Sequence, residues 1–253
     1  VNAANTARDK PPRGRLLMIC TPLGDAPLNA ILPHAVITQA ALTTHWIAEN
    51  AKSCRAFIKQ VGEHAALAQP LQAMSIQELP KHQALSRDAA RALLAPALAG
   101  HDIALVSEAG APGVADPGAI VAAAAHELGV DVLPAVGPSS LLLALMASGL
   151  NGQQFAFHGY LPKDTAARNK QLAEMQLYSH KYQQTQLFIE TPYRNVALWQ
   201  ALLAALKGDV RLCVAVGLTT PAQYVHTQTV ARWREQAALP PIDGVPTVFA
   251  FLA

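Results

Sequence analysis

The chain has little cysteine, few aromatics and little charge, and each shortage removes a class of protein. Its 253 residues contain three cysteines, Cys20, Cys54 and Cys213, far apart and without a C-x-x-C pair. A disulfide framework and a thiolate zinc cage are thereby excluded, and a reducing, cytoplasmic setting is expected. Charged residues make up 14%, with 19 Lys+Arg against 17 Asp+Glu, a net charge of +2. So small an excess gives no global pull toward nucleic acid or an anionic membrane, and such a partner would have to meet a local patch. The longest apolar runs, residues 119–125 and 141–147, fall well short of the ~20 residues that cross a bilayer. Residues 1–14 are polar and basic with Pro11 and Pro12, unlike the apolar centre of a signal peptide. Several motifs are also missing. There is no G-x-x-x-x-G-K-[ST], no G-x-G-x-x-G after the first strand pattern, no G-x-S-x-G and no H-E-x-x-H. Nucleotide P-loops, the dinucleotide fingerprint, the hydrolase elbow and a zinc protease site are not expected, nor is any catalytic metal.

What is present is a globular pattern. Hydrophobic residues make up 51%, too many for a disordered chain, and roughly a fifth of the chain is Ala, a strong helix former. Short β-type runs alternate with helical spacing through the first half. Strands are expected at residues 15–21 (RLLMICT), 43–48, 74–79, 102–107 and 130–136. Between them lie helices at 34–42, 50–61 capped by Asn50, 86–100 capped by Ser86, and 118–128 opened by Pro117 as its first residue and stopped by Gly129. A further helix is expected at 139–148. Repeated β-α units predict an open, mostly parallel sheet with helices on both faces.

The second half has fewer helices per strand. Strands are expected at 155–160, 185–190, 210–216, 224–229 and 246–252, with helices at 164–178 and 192–206. A mixed sheet and an α+β unit follow. The chain is divided into a loose arm at 1–13, an N-terminal α/β domain at 14–136 and a C-terminal α/β domain at 137–253.

In an open α/β sheet, ligands bind beyond the carboxyl ends of the strands. Three loops at such ends are rich in Gly, Pro and small residues: 21–25, 107–118 and 136–140. The middle one has three Gly and two Pro between Ala109 and Gly118. Such a backbone is close to any ligand and presents N–H and C=O groups to it.

These loops also carry a family resemblance. The blocks LLMICTPLGDAPL, ALVSEAGAPGVADPG, VLPAVGPSSLLLALMASGL, FAFHGYLPK and QLFIETPYRN, in that order, resemble the tetrapyrrole methylase family. The chain looks like a sister group of the branch that methylates a ribose 2′-hydroxyl of bacterial small-subunit ribosomal RNA. The resemblance implies two α/β domains with a ligand cleft between them, a homodimer, and S-adenosyl-L-methionine (SAM) as methyl donor. It places Pro22, Ala109, Gly110, Ala111, Val114, Ser139, Ser140, Glu190, Leu218 and Pro246 beside that cofactor. Three segments depart from the branch. Ala48-Glu49-Asn50-Ala51-Lys52 stands where the branch has A-E-D-T-R, Val216-Gly217-Leu218-Thr219-Thr220 where it has R-E-L-T-K, and Pro80-Lys81-His82-Gln83 where it has H-x-H-N.

A ribose hydroxyl acceptor would use a general base. Glu49, Glu108 and Glu190 are candidates, with Lys163 and Tyr160 nearby in the pattern, and Glu49 is favoured because it ends the second strand. For RNA phosphates, Lys163, Arg168, Lys170 and Lys181 form one basic group and Lys52, Arg55 and Lys59 another, neither interleaved with aromatics. Tyr193-Arg194 offers a place to stack one base. The leading expectation is a SAM-dependent RNA methyltransferase. The alternatives are a SAM-dependent methyltransferase of a small planar metabolite and a SAM-binding protein without catalysis. Gly110→Val is expected to abolish SAM binding with the fold intact.

Overall fold

The computed structural model describes residues 13–80 and 84–253. The expected arm, apart from Arg13, and the segment 81–83 with His82 lie outside the described residues. The chain forms two compact units. Among the described residues, one comprises 13–21 with Pro27–Gly137, the other Pro22–Ala26 with Pro138–Ala253.

The first unit holds strands β1 (Leu16–Met18), β2 (His45–Ala48), β3 (Ser75–Glu78), β4 (Ile103–Val106) and β5 (Val132–Pro134). They lie in the order β3-β2-β4-β1-β5, and every pairing is parallel. Alternate residues of each strand serve opposite faces. Leu17, Trp46, Ala48, Ala104 and Val106 pack under helices His34–Leu42 and Ala51–Gly62, through Ile37, Ala40, Phe57, Ile58 and Val61. Leu16, Ile47, Ile103 and Leu105 pack under helices Arg87–Leu93 and Gly118–Leu128, through Ala90, Val121, Ala124 and Ala125. The chain thus leaves β1 and β2 toward one face and β3 and β4 toward the other. Their loops part at the carboxyl edge, which opens the crevices where α/β proteins bind ligands.

In the second unit, β6 (Phe155–Tyr160), β7 (Thr185–Glu190), β8 (Arg211–Val216), β9 (Tyr224–Thr229) and β10 (Thr247–Leu252) take the order β6-β7-β10-β8-β9. Only β6 and β7 run parallel, so the sheet is mixed, as expected. Its bulky face carries Phe188, Leu212, Val214, Phe249 and Phe251 against Leu172, Met175, Trp199, Leu202 and Trp233. The opposite face is lined by smaller residues, Cys213, Ala215 and Ala250, and accepts helix Ser140–Ser148 through Ala144 and Leu145. All three cysteines are buried free thiols, and burial pushes Cys54 up to about 12.

Local chemistry accounts for the element ends. Asn50 Oδ1 accepts from the Lys52 N–H at 2.9 Å, Ser86 Oγ from Ala89 at 3.2 Å and Asp164 Oδ1 from Ala167 at 2.8 Å. Four expectations need correction. The helix from Ser86 breaks at Leu94 and resumes as Ala95–Leu98, because Pro96 has no N–H to continue it. Pro117 is the N-cap of its helix and not the first helical residue. The helix after Asp164 runs on to Tyr182, where Gln183 turns left-handed at φ 50°. The helix expected from Pro192 starts as a 3-10 turn, Pro192–Arg194, before Asn195–Ala205. Helix Val230–Glu235 was not expected. It forms because Trp233 is buried against the bulky face and its indole N–H finds the Leu212 carbonyl at 2.9 Å.

At the amino edge of the parallel sheet, His45 and His101 stack with ring centroids 5.0 Å apart. Burial first, and then the neighbouring His101 charge, hold His45 below its ordinary range. The unfolded chain therefore takes up a proton at a higher pH than the folded chain does. Stability is complete above the ordinary His range and falls as pH drops through it. His45→Gln should flatten the decline in melting temperature between pH ~7.5 and ~5.5. Identical slopes for the two proteins in thermal scans would contradict this assignment.

Candidate functional site

The three small-residue loops are placed by backbone pairing that continues past the strand ends. Thr21 and Gly110 form an antiparallel bridge, Thr21 N to Gly110 O at 3.0 Å and Gly110 N to Thr21 O at 3.1 Å. The Thr21 hydroxyl donates to the Ser107 carbonyl at 3.2 Å, and the Ser107 hydroxyl reaches the carbonyls of Ala109 and Gly110. The stem of the 107–118 loop thus hangs from the end of β1. Gly110 (φ 78°), Gly113 (φ 82°) and Ala115 (φ 64°) are all left-handed. Asp116 closes the tip, accepting from the N–H groups of Gly113 and Gly118. Sequence reasoning missed this contact, although an Asp two residues before a glycine is a known turn signal.

Beyond the carboxyl ends of β2, β3 and β4 lies a cavity of about 420 Å³, lined by Glu49, Asn50, Leu79, Pro80, Glu108 and Pro117. Glu49 Oε1 accepts from the Glu108 N–H at 3.1 Å, and the Asn50 amide donates to Glu108 Oε1 at 3.1 Å. The second oxygen of each carboxylate has no hydrogen-bond partner among the described residues. Burial is the main cause raising the Glu49 carboxyl above its ordinary range; the Glu108 N–H opposes it, and the charges of Asp116 and Glu108 add to it. Glu49 is half-buried and lines the cavity, so its carboxylate is a proton acceptor within reach of a ligand.

The ten residues expected around a cofactor fall on both units. In the first unit, Ala109 and Val114 are exposed, Gly110 is buried in its bridge and Ala111 is half-buried. The backbone N–H groups of Ala109 and Ala111 have no partner among the described residues. In the second unit, Pro22 is half-buried and Pro246 is exposed, its carbonyl accepting from Gly217 at 2.9 Å. Ser139 and Ser140 stand at the start of helix Ser140–Ser148 with hydroxyls that bond nothing in the protein among the described residues. Leu218 is 7% exposed, yet neither its N–H nor its C=O is paired among the described residues. Glu190 is different. Its Oε1 accepts from the N–H and hydroxyl of Thr191 and its Oε2 pairs with Arg194 at 3.0 Å, so both oxygens serve their own turn.

The basic groups also separate. Lys52, Arg55 and Lys59 are exposed and, among the described residues, unpaired, on the helix that starts at Asn50 of the cavity. Arg168 instead folds back on its own helix, to the Lys163 carbonyl at 3.3 Å and the Thr165 hydroxyl at 3.4 Å. The expectation that no aromatics are interleaved with the Lys163, Arg168, Lys170 and Lys181 group needs correction. Tyr178 and Tyr182 stack on the same helix at 5.8 Å, with the Lys181 ammonium 5.1 Å from the Tyr182 ring. Among the described residues no three His, Cys, Asp or Glu converge as a metal site, and no helix is long and apolar enough to cross a membrane. His158 is tied to Gln186 Oε1 at 2.6 Å.

Residues 16–233 match the family described as Tetrapyrrole (Corrin/Porphyrin) Methylases. The chain belongs to that family. It is 31% identical to the Ribosomal RNA small subunit methyltransferase I of Xylella fastidiosa over 226 residues, 89% of this chain and 76% of that protein. It is 29% identical to the protein of the same name from Pseudomonas aeruginosa over 228 residues, 89% and 73% of the two chains. With the Vibrio cholerae protein of that name it shares 33% over 158 residues, 62% of this chain and about half, 54%, of that one. Among solved structures, the methyltransferase CobJ superposes with a TM-score of 0.59 at 17% identity, covering 95% of both chains. The uroporphyrin-III-C-methyltransferase of Thermus thermophilus gives 0.51 at 17% identity, covering 94% of this chain and 92% of that one. These last two likenesses establish the fold.

The geometry revises one expected outcome. A β-branched side chain at φ 78° costs about 1–2 kcal/mol in the backbone alone. Gly110→Val should therefore lower the melting temperature by several degrees, and loss of ligand in that variant would be ambiguous. Ala109 is exposed. Ala109→Trp should leave the melting temperature unchanged and weaken binding of S-adenosylhomocysteine more than about tenfold. Unchanged affinity, read by calorimetric titration, would remove Ala109 from the site.

Proposed function

We propose that this methyltransferase uses SAM to methylate an RNA hydroxyl, with the acceptor seated in the cavity at Glu49. The observation that carries the reading is the match, across most of the chain, to proteins named for ribosomal RNA methylation, joined to a carboxylate with a free oxygen at that cavity. The backbone N–H groups of Ala109 and Ala111 in the first unit, unpaired among the described residues, fit a ligand rich in hydrogen-bond acceptors, such as SAM. Bound there, it supplies a methyl group already activated on a sulfonium. The protein's own tasks are to orient the acceptor oxygen in line with that methyl and to take its proton. Glu49 would take the proton that the acceptor hydroxyl gives up.

The cavity chemistry bears on the acceptor. Two carboxylates, Glu49 and Glu108, line it, and they would repel a macrocycle bearing peripheral carboxylates. They favour an acceptor that brings hydroxyl or amino donors. The free cations Lys52, Arg55 and Lys59 on the adjoining helix suit phosphates flanking that acceptor. A homodimer remains part of the proposal on the family resemblance.

Titration with S-adenosylhomocysteine tests the cofactor. A dissociation constant in the micromolar range or tighter is the expected result, and absence of both heat and thermal shift would refute the reading. Glu49→Gln should lower kcat by about 10²–10⁴ and leave S-adenosylhomocysteine affinity unchanged. Because burial raises the Glu49 carboxyl and the ionised form is the base, activity should fall on acidification at a higher pH than an ordinary carboxylate would give. Lys52→Glu with Arg55→Glu should weaken binding of unmodified ribosomal RNA and reduce the salt slope by about 2. An unchanged slope would return that helix face to solvent.

A further inference from the structure

The loop between β4 and helix Gly118–Leu128 carries a strain that its expected ligand contacts do not explain. Ala115 sits at φ 64°, a conformation that costs an L side chain about tenfold or more in population. It lies one residue before Asp116, whose carboxylate spans the turn. Oδ1 accepts from Gly118 N at 2.6 Å and from Gly113 N at 2.8 Å, and Oδ2 from Gly113 N at 2.9 Å. The two glycines are there for space. A Cβ on Gly118 would lie 2.8 Å from Asp116 Oδ1 and 3.0 Å from Gly113 N, and Gly113 is itself left-handed at φ 82°. The helix it precedes has no side-chain cap on its N-cap residue, Pro117, so Asp116 also satisfies the first helical N–H. The stem of the loop is held separately, by Thr21 and Ser107. Between these two fixings lie Ala111 and Pro112.

We propose that Asp116 is a positioning residue: its carboxylate, touching no ligand itself, clamps Gly113 and Gly118 and holds Ala115 left-handed, so that the Ala109–Val114 backbone is already shaped for the cofactor. The inference rests on the reading of this loop as a cofactor-binding segment. Without the clamp, Ala115 relaxes to negative φ and the loop must be re-formed by the ligand, which lowers affinity. Removing the Ala115 side chain removes the force that the clamp opposes. The proposal therefore makes a paired demand that a general loss of packing would not meet.

The experiment is a titration of wild type, Asp116→Asn, Ala115→Gly and the double variant with S-adenosylhomocysteine, alongside native-state amide exchange of the wild type. Asp116→Asn should raise the dissociation constant about tenfold or more, since one acceptor oxygen is replaced by a donor. Ala115→Gly alone should stay within about threefold, and the double variant should recover most of the lost affinity. In the wild type, the Gly113 and Gly118 amides should exchange far more slowly than those of Ala109 and Ala111. Wild-type affinity in a folded Asp116→Asn, or a double variant no better than Asp116→Asn, would overturn the proposal. If Asp116→Asn does not fold, the exchange measurement decides, and fast exchange at Gly113 and Gly118 overturns the clamp. Absence of binding by the wild type would count against the cofactor reading, while the exchange rates would still judge the clamp.

Discussion

The bridge between Thr21 and Gly110 is the constraint on which the first unit's functional edge depends. Strands β1 and β4 are neighbours in the sheet but far apart in sequence, and their strand pairing ends at Met18 and Leu105. The two backbone bonds of the bridge, with the Thr21 and Ser107 hydroxyls buried beside it, carry the pairing beyond the strands. A loop rich in left-handed residues would otherwise be free to move, because glycine gives up the most entropy on ordering. Here it leaves the sheet already directed. The same bridge fixes where Glu108 stands, and Glu108 in turn meets Glu49 and Asn50 from the end of β2. Three strand ends are thereby tied at one edge by seven hydrogen bonds.

The site that results uses two kinds of chemistry in separate places. The glycine-rich loop offers backbone groups with almost no charge. The cavity at β2 and β4 offers carboxylates. Burial acts on the second set, raising Glu49 above the ordinary range, chiefly because its charge loses water, with the acids Asp116 and Glu108 nearby adding to the effect. A ligand that brings its own positive charge or hydrogen-bond donors restores what those groups lose on folding. This complementarity is also why a modest net charge is compatible with an RNA acceptor. Binding would draw on Lys52, Arg55 and Lys59 on one helix, and not on the chain as a whole.

Much of the architecture was legible before any coordinates. Short β-type runs located the ten strands of the described residues, and the caps Asn50, Ser86 and Asp164 do what their side chains suggest. The errors have local causes. Pro96 cuts a helix whose apolar spacing reads as continuous, and Val230–Glu235 has too few residues for its period to show until Trp233 finds the bulky sheet face. The contacts that Glu190 makes within its own turn, Oε1 with Thr191 and Oε2 with Arg194, do not show in the motif. Tyr178 and Tyr182 stand four residues apart, which makes them neighbours on a helix that the pattern ended too early.

By itself the sequence determined the class of each unit, the loops that carry small residues and the family to which the chain belongs. These follow from periodicity, from the fixed φ of proline and the free φ of glycine, and from ordered motifs, all of which are local. Tertiary structure alone decided which acids share a cavity, which cations stay free and which polar groups are spent on the fold. Those outcomes turn on partners distant in the chain, such as Glu49 with Glu108 and Thr21 with Gly110. Hydrogen bonding and burial assign a side chain its role only once such partners have been brought together.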